Sequence, residues 1–531
     1  MNTTISLFNL NIDIPSTTIL PVLVCLLVIL FFVYYIKVVQ PRRCTTQWID
    51  DELETRKFTV LNNRFPMSSK DIAPLIIITV VFLFLAVFNL GNTNHVDVLA
   101  ELDEIAIEHA EDRFVPRSHM DSLYFDEIFF VRTAAEHIHN LNPFENTHPP
   151  LGKLLISASI LTVGESPFGW RLFGAISGVI MLIVMYLLLK NMFGKTIVAT
   201  CGTLLLGFDF MRFVQTRLGT VDTFTVLFIF LSFYFMYRYI TTDRDAPFSK
   251  SLLPLALSGI FFGLSFAVKW TGFYAGAALL VIYVIRLWQL GMHYKNTEKR
   301  GFEEYLTRTL MFSMLFFVII PVIVYYLSYI PYGTARGMSV AGGMLFSADF
   351  FNLVWGNQVH MFMYHSYYVL GAEHPFSSVW WQWILNIRPI LYVRGHAGEL
   401  QAVFGAFGNP VVWWGGFLAI VVMIVRVFTH RDGKAFYILV GYFVQLLPWV
   451  AVTRILFIYH YFPSSLFIVI ALAHMFNTIK ERRDSTGTAV ICGFTGLAGA
   501  VFIMFYPMIS GMYVPAWYLN NFIRWFTTWP F

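Results

Sequence analysis

Two adjacent carboxylates, Asp126 and Glu127, stand in Phe125-Asp126-Glu127-Ile128-Phe129-Phe130, and Thr147-His148-Pro149-Pro150-Leu151-Gly152-Lys153 follows in the same polar stretch. A carboxylate within hydrogen-bond reach of a hydroxyl takes its proton as a new bond forms. An acid pair on a polar loop between spanning helices can therefore act on a substrate presented from the membrane. An anionic leaving group needs cations, and an arginine fork holds two oxygens at once. The candidates are Lys153, Arg171, Arg217, Lys269, Arg388, Arg394 and Arg454. Each has a plainer reading. Asp126 fits the N-cap of a helix over 127–139, and a cation at a helix end can reach lipid headgroups. Asp222, five residues after Arg217, is placed to neutralise it. His148 either touches a substrate or the acid pair, or fixes the turn made by the two prolines.

These residues punctuate a chain that is mostly hydrocarbon. Of 531 residues, 57% are hydrophobic, 13% are charged and 54 are Phe. A soluble surface needs about a quarter charged residues, so this is a polytopic membrane protein. A net charge of +4 gives no reason to expect a nucleic-acid partner. Cys25, Cys44, Cys201 and Cys492 are scattered singly, without the spacing of a disulfide framework. His360, His365 and His374 do not share a helical face, and no HExxH pattern accompanies them. No metal and no cofactor is called for.

Apolar runs of about 20 residues predict spans near 18–38, 73–91, 170–190, 194–215, 219–240, 251–270, 272–289, 309–330, 410–428, 435–452, 455–478 and 487–506. The fold class is all-α, with about 12 transmembrane helices. Segment 37–72 carries seven basic residues, whereas loop 92–150 carries three against twelve acids. By the positive-inside rule, 37–72 is cytoplasmic, together with the clusters at Lys295, Lys299 and Arg300 and at Lys480, Arg482 and Arg483. The acidic loop, the 331–409 loop and both termini then face outward. Residues 126–139 and 151–163 read as two short helices lying in the outer interface. The organisation expected is an N-terminal extra helix (1–40), a cytoplasmic linker (41–72), a transmembrane module (73–330) with the acidic outer loop 92–163, an aromatic outer loop (331–409) and a C-terminal four-helix module (410–531). Trp380, Trp381 and Trp383 in the aromatic loop can anchor at the interface or stack on a sugar.

Phe125-Asp126-Glu127, the His148–Lys153 turn, Pro167-Phe168-Gly169-Trp170-Arg171, Gln215-Thr216-Arg217 with Asp222, and Lys269-Trp270 come in a telling order. His374-Pro375, Trp380-Trp381, Arg388-Pro389 and His460-Tyr461-Phe462-Pro463 continue it. Over residues 73–506 the chain resembles bacterial protein O-mannosyltransferases. The resemblance implies a GT-C glycosyltransferase fold in the cell membrane. It also implies transfer of mannose, with inversion, from a polyprenyl-phosphate donor to Ser or Thr of exported protein acceptors on the outer face. The roles it implies are catalysis by Asp126 and Glu127, and substrate contacts by His148, Lys153, Arg171, Arg217, Asp222, Lys269, His374, Trp381, Arg388, Arg394 and His460. Arg171, Arg388 and Arg394 are the favoured donor contacts. The helix at 18–38 is additional to the family pattern, and the β-trefoil of eukaryotic members is missing from 331–409. Two other readings remain: the same donor with a lipid or cell-envelope glycan acceptor, and a secondary transporter, which would be expected to show internal repeats.

Overall fold

The computed structural model describes residues 2–7, 10–39, 67, 69–100 and 120–531. Most of the predicted linker (41–66) and the middle of the acidic loop (101–119) lie outside the described residues. So do Cys44, Arg42, Arg43, Arg56, Lys57, Arg64, Arg113 and Arg117. Among the described residues, eleven helices are long and apolar enough to cross a membrane, from Ile19–Val38 near the N-terminus to Ser485–Ser510. The Phe462–Arg482 helix is the centre of the bundle, buried at every position from Phe462 to Ile479 except Pro463. Pro167–Phe193 and Asp222–Ile240 are also largely buried. Phe302–Thr334 lies at the periphery, exposing Met311, Val322 and Leu327.

The predicted span at 194–215 is two helices, Thr196–Gly207 and Phe210–Gln215, parted at Phe208-Asp209. A pair of polar side chains caps both pieces at the break. Asp209 accepts the backbone N–H of Arg212 and, at 2.9 Å, the indole N–H of Trp413. The Arg212 guanidinium turns back to the carbonyls of Leu206 and Gly207 at 2.9 and 2.8 Å. The free N–H and C=O groups of two helix ends are thereby satisfied inside the protein. The broken passage still runs the length of the bundle. Lys195 bonds Asn477 and Glu481 at one end, and Gln215 bonds the Tyr392 hydroxyl at the other.

Apart from the capped break, side-chain ion pairs gather at these two ends. At one end are Lys190 with Asp71, Lys195 with Glu481, Arg426 and His474 with Asp432, and Arg482 on the carbonyl of Val38. At the other are Asp126, Glu127, Arg171, Arg217, Asp222 and Lys269. The acid pair is therefore at the opposite end of the bundle from the basic clusters.

Helices Glu127–Ile138 and Leu151–Val163 form where the acidic loop predicted them, and they share an apolar cluster with Val221 and Val268. Gly152 permits this packing, because a Cβ there would lie 2.6 Å from Val221 Cγ1. The all-α expectation did not include a hairpin, Ile390–Ala397 with Leu400–Ala406, which the 331–409 segment forms in addition to the Ala348–Met363 helix. Its two-residue turn begins at Gly398 with φ +60°, the left-handed geometry that matches strand twist. A third short strand, Val514–Pro515, pairs with its edge.

Candidate active site

Asp126 follows a strained turn. Phe125 has φ +56°, a conformation that costs a side-chain-bearing residue about 1–2 kcal/mol. Its ring is held among Tyr392, Phe457, Tyr459 and His374, with centroids 5.0 to 6.1 Å away. The Asp126 backbone carbonyl starts the Glu127–Ile138 helix, but its side chain makes no capping bond. The carboxylate faces a hollow lined by Gln215, Leu218, Thr220, Asp222, Tyr392 and Tyr459, and its Oδ2 accepts the Tyr459 hydroxyl at 3.4 Å. Burial pushes the Asp126 carboxyl up to about 7; Asp222 adds to the rise, while Lys269 and the Tyr459 bond oppose it. A carboxyl poised there has the proton affinity that general-base work near neutral pH needs.

Glu127 points the other way and is fully buried. Its two oxygens take the Nε and Nη2 of Arg171, each at 2.7 Å, and Oε1 also accepts the N–H of Gly219 at 2.7 Å. The remaining N–H groups of Arg171 go to the carbonyls of Leu90, Met120 and Ser122. All five guanidinium donors are thus occupied, at 0% exposure. Arg171 cannot also hold a phosphate in this structure, which corrects its expected role as a donor contact. Glu127 likewise has no oxygen facing the hollow. The pair clamps Asp126 from behind and ties Leu90 and the 120–127 stretch of the acidic loop to the Pro167–Phe193 helix.

Arg217 is corrected in the same way. It lies fully buried at the end of the Ser69–Val87 helix, donating to the carbonyls of Ala86, Phe88 and Asn89 at 2.7, 2.8 and 2.6 Å. That is a cation on a helix C-terminus. Asp222 pairs with Lys269 at 2.8 Å instead of neutralising Arg217. Lys153 is also taken up internally: its ammonium donates to Glu145 Oε2, to the Glu145 carbonyl at 2.9 Å and to the His148 carbonyl at 2.8 Å. It staples the 145–148 turn.

Within that turn His148 Nδ1 lies 3.0 Å from Glu145 Oε1, and its ring packs on Phe130 and His365. Burial disfavours charge on Glu145, yet Lys153 and His148 together hold its carboxyl well below the usual range. The turn-fixing reading of His148 is the contact seen. Arg388 and Arg394 are exposed and donate to the carbonyls of Pro375 and Pro530. Neither lines the hollow, so their expected place beside Asp126 is not found. Trp381 is 47% exposed and apart from the site, whereas Trp383 is buried and stacks on His460 at 5.9 Å. His374 sits behind Phe125 and accepts the N–H of Phe376.

Lys269 takes the position that Arg171 does not. It closes one wall of a cleft with Asp222, Thr225, Thr271, Tyr274, Gln445, Trp449, Tyr459 and His460. This cleft and the Asp126 hollow share Asp222 and Tyr459. Lys269 stands 5.7 Å over the Tyr459 ring and donates to Asp222 Oδ1 at 2.8 Å, one bond for its three donors. Arg454, near enough to act electrostatically on Tyr274 and His460, has a single long bond at 3.4 Å. Sequence reasoning missed Tyr459, Tyr392, Thr220, Gln445 and Glu145. Gln445 was detectable as a lone amide in an apolar run, and Glu145 as an acid three residues before His148.

The helical membrane bundle has the GT-C glycosyltransferase fold. The Saccharomyces cerevisiae protein O-mannosyltransferase complex, solved with its sugar donor, superposes with a TM-score of 0.71, covering 88% of this chain and 93% of that one at 14% identity. A family model for dolichyl-phosphate-mannose–protein mannosyltransferase matches residues 113–331, and one for the C-terminal four-span region of protein O-mannosyltransferase matches 350–529. The chain belongs to the protein O-mannosyltransferase family. Similar proteins include the polyprenol-phosphate-mannose–protein mannosyltransferases of Mycobacterium tuberculosis, 25% identical over 73% of this chain and 83% of that protein, and of Corynebacterium glutamicum, 24% identical over 76% and 88%.

Proposed function

We propose that this protein transfers mannose from a polyprenyl-phosphate carrier to Ser or Thr hydroxyls of exported proteins, on the extracytoplasmic side of the membrane. The observation that carries the reading is that Asp126 and Lys269 open on adjoining hollows with Asp222 and Tyr459 between them. Asp126 accepts the hydroxyl proton as the acceptor oxygen bonds to the anomeric carbon. The bond from that carbon to the phosphate oxygen breaks with inversion, and its electron pair leaves on the polyprenyl phosphate. Lys269 and Arg454 receive that charge. The outer-face placement is supported by the basic clusters gathering at the opposite end of the bundle.

The test is transfer of radiolabelled mannose from polyprenyl-phosphate-mannose to an exported acceptor protein, in membranes holding wild type or Asp126→Asn. The expected outcome is a loss of at least about a hundredfold at equal membrane abundance. Retention of most of the activity by Asp126→Asn would reduce Asp126 to a structural role, and label appearing in a lipid or envelope glycan instead would change the acceptor.

A further inference from the structure

The cleft behind Lys269 holds a polar group that the mechanism above does not use. Gln445, near the C-terminal end of the Gly433–Leu446 helix, is 2% exposed, and its Nε2 has no hydrogen-bond partner. An unmet buried donor costs about 1–3 kcal/mol, and native structures keep few of them without a use. Across the cleft, His460 has Nδ1 tied to the backbone of Phe457, with the carbonyl at 2.9 Å and the N–H at 3.2 Å. The nearer carbonyl draws the ring proton to Nδ1. Nε2 is then the acceptor of the ring.

The walls therefore combine an amide donor and acceptor on Gln445, an acceptor on His460, the Asp222 carboxylate and the Lys269 ammonium. A phosphate only accepts hydrogen bonds and calls for donors alone. Mixed donors and acceptors suit vicinal hydroxyls, each of which gives one bond and takes others. The remaining wall is aromatic, with Trp449 and Tyr459 flanking His460 at ring-centroid distances of 4.3 and 4.6 Å. Flat rings beside polar groups fit the C–H face and the hydroxyl edge of one hexose. The cleft measures about 320 Å³ with its mouth included.

We infer that Gln445, with His460, reads the hydroxyls of the donor's sugar and determines which hexose is transferred. The inference rests on the function proposed above. A site built to bond a hydroxyl rejects an analogue that places it wrongly, because buried groups are then left unpaired.

The test compares the full-length wild type with Gln445→Leu and Gln445→Glu, using polyprenyl-phosphate-mannose and polyprenyl-phosphate-glucose, which differ only at carbon 2 of the sugar. The mannose-to-glucose ratio of kcat/KM is expected to fall at least about tenfold in both variants, with the acceptor KM unchanged. The rise in melting temperature given by polyprenyl-phosphate-mannose over unglycosylated polyprenyl phosphate is expected to disappear. If Gln445→Leu fails to fold, Gln445→Glu carries the test, since it keeps the size and loses the N–H donors. An unchanged ratio and an unchanged melting shift would mean that Gln445 holds only a water, and would overturn the assignment while leaving the transferase intact. A wild type that transfers neither sugar would overturn the functional reading itself, and this assignment with it.

Discussion

Arg171 grips Glu127 through two nitrogens and both carboxylate oxygens at 2.7 Å, and neither side chain is exposed. The second acid of the pair is thereby removed from the chemistry and made into a brace for the first. Breaking a buried pair by deleting one partner leaves an uncompensated charge and costs about 3–5 kcal/mol. Arg171→Ala is therefore expected to lower the melting temperature and yield of detergent-extracted protein sharply. The molecules that remain folded should show a donor KM within about twofold of wild type, since the change falls outside the cleft. Removing both partners, with Glu127→Ala added, should be less damaging than Arg171→Ala alone. A rise in donor KM without loss of stability would put Arg171 back in contact with the phosphate.

Asp126 makes a prediction about pH. A base must be deprotonated to act, and its carboxyl is pushed up to about 7, mainly by burial. The pH profile of kcat/KM should thus climb about tenfold per pH unit below that value and level off above it. Stability should run the opposite way. Because the folded pKa lies above the ordinary 3.8, the native state binds the extra proton between about pH 4 and 7, and Asp126 destabilises the fold increasingly as pH rises through that window. Asp126→Asn should melt above wild type at about pH 8 and level with it below about pH 4, while losing turnover. A variant no more stable than wild type at the higher pH would contradict this account.

On the proposed function, Lys269 is the cation that receives the leaving phosphate. A charge-assisted hydrogen bond contributes about 1.5–3 kcal/mol, so Lys269→Ala should raise the donor KM about 10- to 100-fold with the acceptor KM unchanged. Lys269→Arg, which retains the charge, should recover much of the loss. Initial-rate titrations of each substrate separate the two constants. An effect confined to the acceptor would reassign Lys269.

Part of the site was legible because its signal is local. The Phe125-Asp126-Glu127 motif, the short helices at 127–138 and 151–163, and the cation before Trp270 all follow from neighbouring residues. Which arginine serves which purpose was not legible. Arg171, Arg217 and Lys269 look alike in sequence, each a cation at an apolar helix end. Their roles depend on acceptors contributed by remote segments: Glu127 lies 44 positions before Arg171, and the Tyr459 hydroxyl that meets Asp126 is 333 positions away.

By itself the sequence determined that the chain is a membrane protein, where most of its apolar helices run, and that an acid pair stands opposite the basic loops. Hydropathy and charge bias are properties of short windows, and a bilayer acts on them directly. Only the tertiary structure decided that the passage at 194–215 is broken, that Arg171 is saturated and Lys269 is not, and that Gln445 and His460 face the same cleft. A polar side chain in a low-dielectric interior is governed by the few atoms within hydrogen-bond reach, and those atoms are brought together by packing, not by order along the chain.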